Sequence, residues 1–276
     1  MIMLSLQLHH ITDLYVIIDD MVPNKPTTLA GRHTLLSDSE LVTILIWNAL
    51  SMKQKTLKGV WSYTKLHLSN EFKRLPNYSA FVDHCHRVLE VLVQTLESIL
   101  SDKAPVRFMD STMLEVCKLP RANNHKVARD VASFGKNHQG WHYGFKLHAS
   151  IDINGTLCGL TITSANIHDT RAMPKILNQY TKVAVGDGGY NAKAMRDHIF
   201  KEYGTLIVAP PHPKQNKKLM TKWQHALLNM RSKIESVYDY LKEHMSLVSS
   251  FPRSKKGYLL HYIRILLGYQ VEKVMF

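Results

Sequence analysis

The sequence predicts an α/β protein: a mixed five-stranded sheet flanked by helices, preceded by an all-helical N-terminal domain. Three observations carry this. Residues 1 to about 100 place apolar side chains at helical spacing and show no strand-like alternation. From Val106 the pattern changes to β-type runs, three in succession. After them, short apolar runs alternate with helical stretches, as strands joined by helices do. The expected boundaries are 1–103 for the helical domain, 104–250 for the α/β domain, and 251–276 for a basic amphipathic C-terminal helix packed on the core.

Composition narrows the function. The chain has 276 residues, enough for a real core and one or two domains. Its 35 Lys and Arg against 22 Asp and Glu give a net charge of +13. That excess suits a polyanionic partner, nucleic acid foremost. Cys85, Cys117 and Cys158 are scattered and form no C-x-x-C pair, which argues against a disulfide framework or a thiolate zinc site. His84-Cys85-His86 looks ligand-like but lacks a second ligand cluster. No apolar run reaches membrane-spanning length, and no basic region precedes an apolar one at the start. The expectation is an intracellular, cytoplasmic protein with no membrane partner.

The elements follow in order. Leu4–Met21 mixes apolar and polar positions and stops at Pro23 and Pro26. Ser37-Asp-Ser-Glu40 is a capping box ahead of the apolar run Leu41–Leu50. A short helix follows from Gly59, and Phe81–Leu100 reads as one more. Several short helices in a basic protein suit a helix-turn-helix module or equally a packing scaffold with no DNA contact; Lys53, Lys55, Lys58, Lys65, Lys73 and Arg74 cluster around the middle helices and favour DNA binding. Val106–Cys117 is the first strand. Asp110 lies inside it, against the usual composition of strands, either as a functional carboxylate or at a turn. Lys118–Trp141 reads as a long basic loop. Tyr143–Ile153 and Thr156–Ser164 are strands joined at Asn154-Gly155, a strong hairpin signal. Asp169 is expected to cap a short helix near Pro174–Tyr180, with a fourth metal ligand as the alternative. Lys182–Gly186 is a buried strand ending at Asp187-Gly-Gly-Tyr190, a carboxylate in a Gly-rich turn that can face a ligand closely. A helix to Tyr203, the strand Leu206–Pro210 and the basic connector Lys214–Lys222 complete the domain.

Ala226–Glu243 has no Gly or Pro and reads as a helix. Arg231, Glu235, Tyr238 and Lys242 fall at i, i+4, i+7 and i+11 on one face. Leu227, Ile234, Val237 and Leu241 form the face that leans on a core. The charged stripe suits a ligand site, and equally a solvated face with Glu235 paired to Arg231. Asp110 and Asp187 come together if the first and fourth strands are neighbours, and the late helix can add Glu235. Three carboxylates without thiolates suit hard cations, Mg²⁺ or Mn²⁺. Two such ions roughly 3.5–4 Å apart would clamp the attacking and leaving oxygens of an in-line phosphoryl displacement.

At these residues the chain resembles the DDE transposases of bacterial insertion sequences, whose catalytic core is ribonuclease H-like. The matching stretches are Phe108-Met-Asp110-Ser-Thr, Gly144-Phe-Lys-Leu-His148, Asn166-x-His-Asp169, Val185-x-Asp187-x-Gly-Tyr190 and Arg231-x-x-x-Glu235 followed by Lys242, with Leu228 where the family pattern has Tyr. They cover about residues 104 to 245. The resemblance implies Asp110, Asp187 and Glu235 as catalytic, metal-binding residues for two Mg²⁺ or Mn²⁺ ions. It implies DNA contacts from Arg231 and Lys242; Lys146, Tyr190 and Tyr238 join these expected contacts. It further implies double-stranded DNA with terminal inverted repeats and target DNA as partners, a homodimer in the active complex, and a place at the bacterial nucleoid. A nuclease that cuts without joining, and a DNA-binding regulator derived from a transposase, are the alternative readings. The short interval from Asp187 to Glu235 leaves little room for the large domain some relatives insert there.

Overall fold

A computed structural model describes residues 11–22, 35–52, 54–137, 139–211 and 220–275. The chain forms two compact units: Met1–Ile99 with His244–Leu247 and Phe251–Phe276, and Leu100–Glu243 with Val248–Ser250.

The first unit is helical. Its described helices are α1 (Ile11–Met21), α2 (Asp38–Trp47), α3 (Leu57–His67), α4 (Tyr78–Arg87), α5 (Leu89–Ser98) and α10 (Lys255–Met275). The expected capping box starts α2: Ser37 Oγ accepts from the Glu40 N–H at 3.0 Å, and Glu40 Oε2 accepts from the Ser37 N–H at 2.6 Å. The helix expected over Phe81–Leu100 is two, broken at Val88. The α3–α4 connection runs from Leu68 to Asn77, longer than the ~3–4-residue turn of a helix-turn-helix. His84 pairs with Asp38 at 2.9 Å and Cys85 is buried, so His84-Cys85-His86 is a packed stretch of α4. Leu4–His10, Pro23, Pro26 and Lys53 lie outside the described residues.

One expectation is corrected here. The C-terminal helix is not amphipathic: Leu260 to Val271 are buried without a break, and α10 packs with α2, α4 and α5. A helix buried on all sides belongs in the middle of a bundle. The misreading came from its charges. Lys255, Lys256 and Lys273 are exposed at the two ends, whereas Arg264, midway along, is buried.

The second unit holds a mixed sheet of β1 (Val106–Glu115), β2 (Ser133–Asn137), β3 (Gly140–Ile151), β4 (Leu157–Ser164), β5 (Val183–Val185) and β6 (Leu206–Val208). The order is β2-β3-β1-β5-β6, with β4 also paired to β3. β1, β3 and β4 form the expected antiparallel meander, turned at Asn154-Gly155 with Gly155 at φ 87°. β5 runs parallel to β1, and β6 parallel to β5. This is a ribonuclease H-like sheet. It has six strands where five were expected, because β2 lies inside the stretch read as a loop. Ser133-Phe-Gly-Lys-Asn137 has a Gly and three polar residues, so its strand character comes from its partner. β3 is long enough to pair β2 along its first five residues and β4 along the rest. Gly144 sits at that changeover, where a Cβ would collide with the Leu114 carbonyl of β1.

The helices of this unit are α6 (Met173–Ile176), α7 (Lys193–Tyr203), α8 (Lys222–Met230) and α9 (Ser232–Asp239), which runs on as a π-helical turn from Tyr240 to His244. The helix expected over 226–243 is therefore broken at Arg231, the C-cap of α8 and the N-cap of α9. Met109, Ala184 and Ile207 of the sheet pack with Met173, Ile176, Ile199 and Tyr190 in one core cluster. Each large apolar side chain buried there contributes roughly 1.5–3 kcal/mol. On α9, Ile234, Val237 and Tyr238 are buried, and Leu241 follows them, so one face of the helix is committed to packing and the other is left for chemistry.

Candidate active site

Asp110 and Asp187 are brought together by strand order. The parallel register pairs Phe108 with Val185, and each Asp is two residues further along its own strand direction. Two residues on keeps the same face of a pleated strand. Asp110 Oδ1 accepts the Ser111 N–H at 2.8 Å. Asp187 Oδ1 accepts the Gly189 N–H at 2.9 Å, which caps the tight turn after β5. Across the cleft, Arg231 reaches both sides. Its Nη2 is 2.6 Å from Glu235 Oε1, and its Nη1 is 3.5 Å from Asp110 Oδ2. The cleft, of about 540 Å³, is lined by Asp110, Asp187, Glu235, Arg231, Lys146 and Lys242, among others.

The electrostatics follow from this crowding. Burial raises the Asp110 carboxyl to about 6. The Ser111 N–H opposes that, the Asp187 charge adds to it, Arg231 opposes it, and Asp169 adds to it. Repulsion between carboxylates in one cleft is what a cation would relieve. All candidate donors are carboxylate oxygens, which suits a hard divalent ion. Among the described residues, however, no three such groups are already drawn together at ligating distance. Glu235 is half exposed and turned into its ion pair with Arg231, so the donor set fits in kind and its third member must first leave that cation.

Asp169 is placed differently from the expectation. His168, not Asp169, caps the short 3₁₀ turn Asp169–Ala172. Asp169 Oδ1 instead accepts from Lys146 Nζ at 3.2 Å, and the same ammonium donates to the Ile167 carbonyl at 2.9 Å. His148, fully buried, is 3.5 Å from Asp169 and hydrogen-bonds Thr163 at 2.9 Å. Burial pushes His148 down to about 4 against the pull of Asp169, which keeps the imidazole neutral at pH 7. Lys146 is thus tied down at the cleft wall and is 8% exposed. Asp169→Ala is expected to destabilise the protein by about 1–3 kcal/mol, below the cost of breaking a fully buried pair because Asp169 is partly exposed. Urea unfolding of Asp169→Ala, and of Asp169→Ala with Lys146→Met, checks this. Unchanged stability in the single variant, or no recovery in the double, would show that the pair does not hold the wall.

The two tyrosines are also corrected. Tyr190 is fully buried in the core, with its ring against Gly186 and Met109, and offers no surface to DNA. Tyr238 is 5% exposed, and its hydroxyl donates to the Asp110 carbonyl at 2.7 Å. It holds β1 against α9 at the cleft floor. Lys242 lines the cleft, and its ammonium is lowered from its usual range mainly by burial, against the nearby acids. Lys136, Asn137 and Gln139 join the rim from the β2–β3 hairpin, with the Lys136 ammonium 5.8 Å from the exposed Trp141 ring. Those rim residues were unreadable while the stretch passed for a loop.

No helix among the described residues is long and apolar enough to cross a membrane. A family model of the transposase DDE domain matches residues 100–255, which span the whole sheet and every residue of the acidic cleft. With more than half of the chain matched, and with strand order drawing Asp110 of β1 and Asp187 just after β5 into one cleft opposite Glu235, the protein belongs to the DDE transposase family.

Proposed function

We propose that the protein is an insertion-sequence transposase that cleaves DNA at its element's ends and joins them to target DNA by in-line phosphoryl transfer in the acidic cleft. The observation that carries this is Asp110 in β1 and Asp187 just past the end of its parallel neighbour β5, lining one cleft with Glu235 of α9. Asp110, Asp187 and Glu235 would hold two Mg²⁺ or Mn²⁺ ions. Such ions lower the charge barrier to bringing an oxygen nucleophile to a phosphodiester and stabilise the leaving oxygen. The rest belongs to the chain. Asp110 and Asp187 set the negative potential that draws cations in. Arg231 and Lys242 offer positive charge to phosphate from the same helix. In the reaction the attacking water or 3′-hydroxyl gives up a proton to solvent as it forms a new P–O bond, the opposite P–O bond breaks, and the leaving 3′-oxygen takes up a proton from solvent. Residues 1 to about 103 would recognise the terminal inverted repeats, with two copies of the chain in the active complex at the bacterial nucleoid.

The test is a strand-transfer assay with purified protein, a duplex carrying the repeats that flank the coding sequence, a target plasmid and Mg²⁺. Nicked ends and joined products are expected, together with tighter binding of end DNA than of scrambled DNA that weakens steeply with salt. Cutting without joining would assign a nuclease. Binding without cutting would assign a regulator.

A further inference from the structure

The helical unit holds a second cleft, of about 290 Å³, at the start of α10. Its wall includes Arg264, which is 1% exposed. Arg264 Nη2 donates to the Gln54 carbonyl at 2.7 Å and lies 3.3 Å from His261 Nδ1. His261 Nε2 is 3.0 Å from the Ser246 carbonyl, so the ring's N–H points there and Nδ1 is left to accept from the guanidinium. Arg264 Nη1 is buried and has no hydrogen-bond partner among the described residues. Among the described residues, no carboxylate lines the cleft. A buried cation without an acid is costly, and an unpaired buried N–H adds to that cost. Burial pushes the guanidinium down to about 10. An anion supplied from outside would offset both penalties.

The surroundings favour an anion with an apolar body. Lys55 and Arg253 are exposed at the mouth. The first turn of α10 opens there, with Ser254 Oγ accepting the Gly257 N–H at 2.9 Å, and its helix dipole favours negative charge. Tyr78 and Phe251, 39% and 48% exposed, stand at the rim. Leu57 and Leu260 line the interior. The volume is near the lower end of the ~300–1,000 Å³ typical of ligand clefts. A bare phosphate would leave the aromatic and aliphatic walls unused, and a purely apolar ligand would leave Arg264 unanswered.

We propose that this cleft holds one nucleotide of a DNA strand, with its phosphate on Arg264, Lys55 and Arg253 and its nucleoside against Tyr78 and Phe251. The identity of the strand rests on the transposition reading, whereas the preference for a nucleotide rests on the cleft alone. Stacking on such side chains is worth roughly 1–3 kcal/mol per base.

The experiment follows the fluorescence polarisation of labelled single-stranded pentathymidylate with the full chain in EDTA. Lys55→Ala/Arg253→Ala is expected to weaken binding by about tenfold or more, and Arg87→Ala/Lys273→Ala, which removes the same charge from exposed positions of the same unit outside the cleft, by less than about threefold. Thymidine 5′-monophosphate is expected to compete at about tenfold lower concentration than thymidine or inorganic phosphate. Arg264→Gln, checked for folding by circular dichroism, is expected to lose the advantage of the monophosphate over thymidine. Since Arg264→Gln can fail to fold, the two double variants and the competitors decide. Equal losses in both double variants would reduce the binding to general electrostatics and overturn the proposal. Inorganic phosphate competing as well as the monophosphate would also overturn it, leaving a bare anion site. Failure of strand transfer with these binding results intact would remove the transposition reading and leave the cleft standing; the converse pattern would remove the cleft alone.

Discussion

Asp110→Asn and Asp187→Asn are each expected to lower cleavage and joining on the order of 10³-fold while leaving end binding within about threefold. Asn keeps the size and the hydrogen bonds from Ser111 or Gly189 but removes the charge that a divalent ion requires. Near wild-type joining by either variant in Mg²⁺ would sink the assignment of the cleft. A second consequence has the opposite sign. Asp110 is raised to about 6 in the folded protein, mainly by burial, from an unperturbed 3.8. The folded state therefore binds the proton more tightly than the unfolded chain does. By linkage, this group costs no stability below about pH 4, costs increasingly as pH rises towards 6, and carries its full penalty above that. The penalty is at most about 3 kcal/mol. In EDTA, Asp110→Asn should thus melt higher than wild type at pH 7.5, and the gap should close towards pH 4.5. A variant that is inactive yet more stable is what a functional carboxylate held at the expense of the fold produces. Equal melting temperatures across that range would mean that the carboxylate is better solvated than its burial indicates.

The parts of this architecture legible in the sequence were those where local pattern and tertiary environment agree. Val183–Val185 is wholly apolar and Val106–Glu115 carries its buried apolar residues on both sides of Asp110, as central strands covered on both faces do, and a carboxylate in or just after such a run stands out. Asp110 and Asp187 stand out in the sequence for that reason, and they line one cleft. β2 was lost because an edge strand takes its order from its partner, and Ser133–Asn137 has little strand propensity of its own. Asp169 was read as a cap because only the fold brings Lys146, distant in sequence, to its side chain. Tyr190 and Tyr238 failed differently. An aromatic residue within a functional motif suits a stacking surface and a structural floor equally well, and burial alone separates them. The same holds for Arg264, a charge that looked like the wet face of a helix and lies inside it.

On α9 the sequence left two readings open, a ligand stripe and a simple Arg231–Glu235 pair, and the structure makes them compatible. The pair exists, at 2.6 Å, and it lines the cleft that also holds Asp110 and Asp187. Arg231 then competes for Glu235 with any cation the cleft admits, and the competition gives the helix separable charges to test. Glu235→Gln is expected to reduce activity on the order of 10²–10³-fold even with DNA bound. It should also shrink the rise in melting temperature produced by Mn²⁺, a readout independent of turnover. Lys242→Ala should keep that rise, because an ammonium repels a cation and ligates none. It should instead weaken DNA binding and lower the magnitude of the salt slope by about one, the signature of a single lost phosphate contact. Arg231→Ala separates the two effects further: with its partner gone, Glu235 is free for the metal, so the Mn²⁺-induced rise should grow while DNA affinity falls. If Lys242→Ala abolishes the metal-induced rise, or Glu235→Gln leaves it intact, the shared-face argument fails. The third carboxylate must then come from elsewhere on the cleft wall, where Asp239, one turn beyond Glu235 on the same helix, is the next acid along.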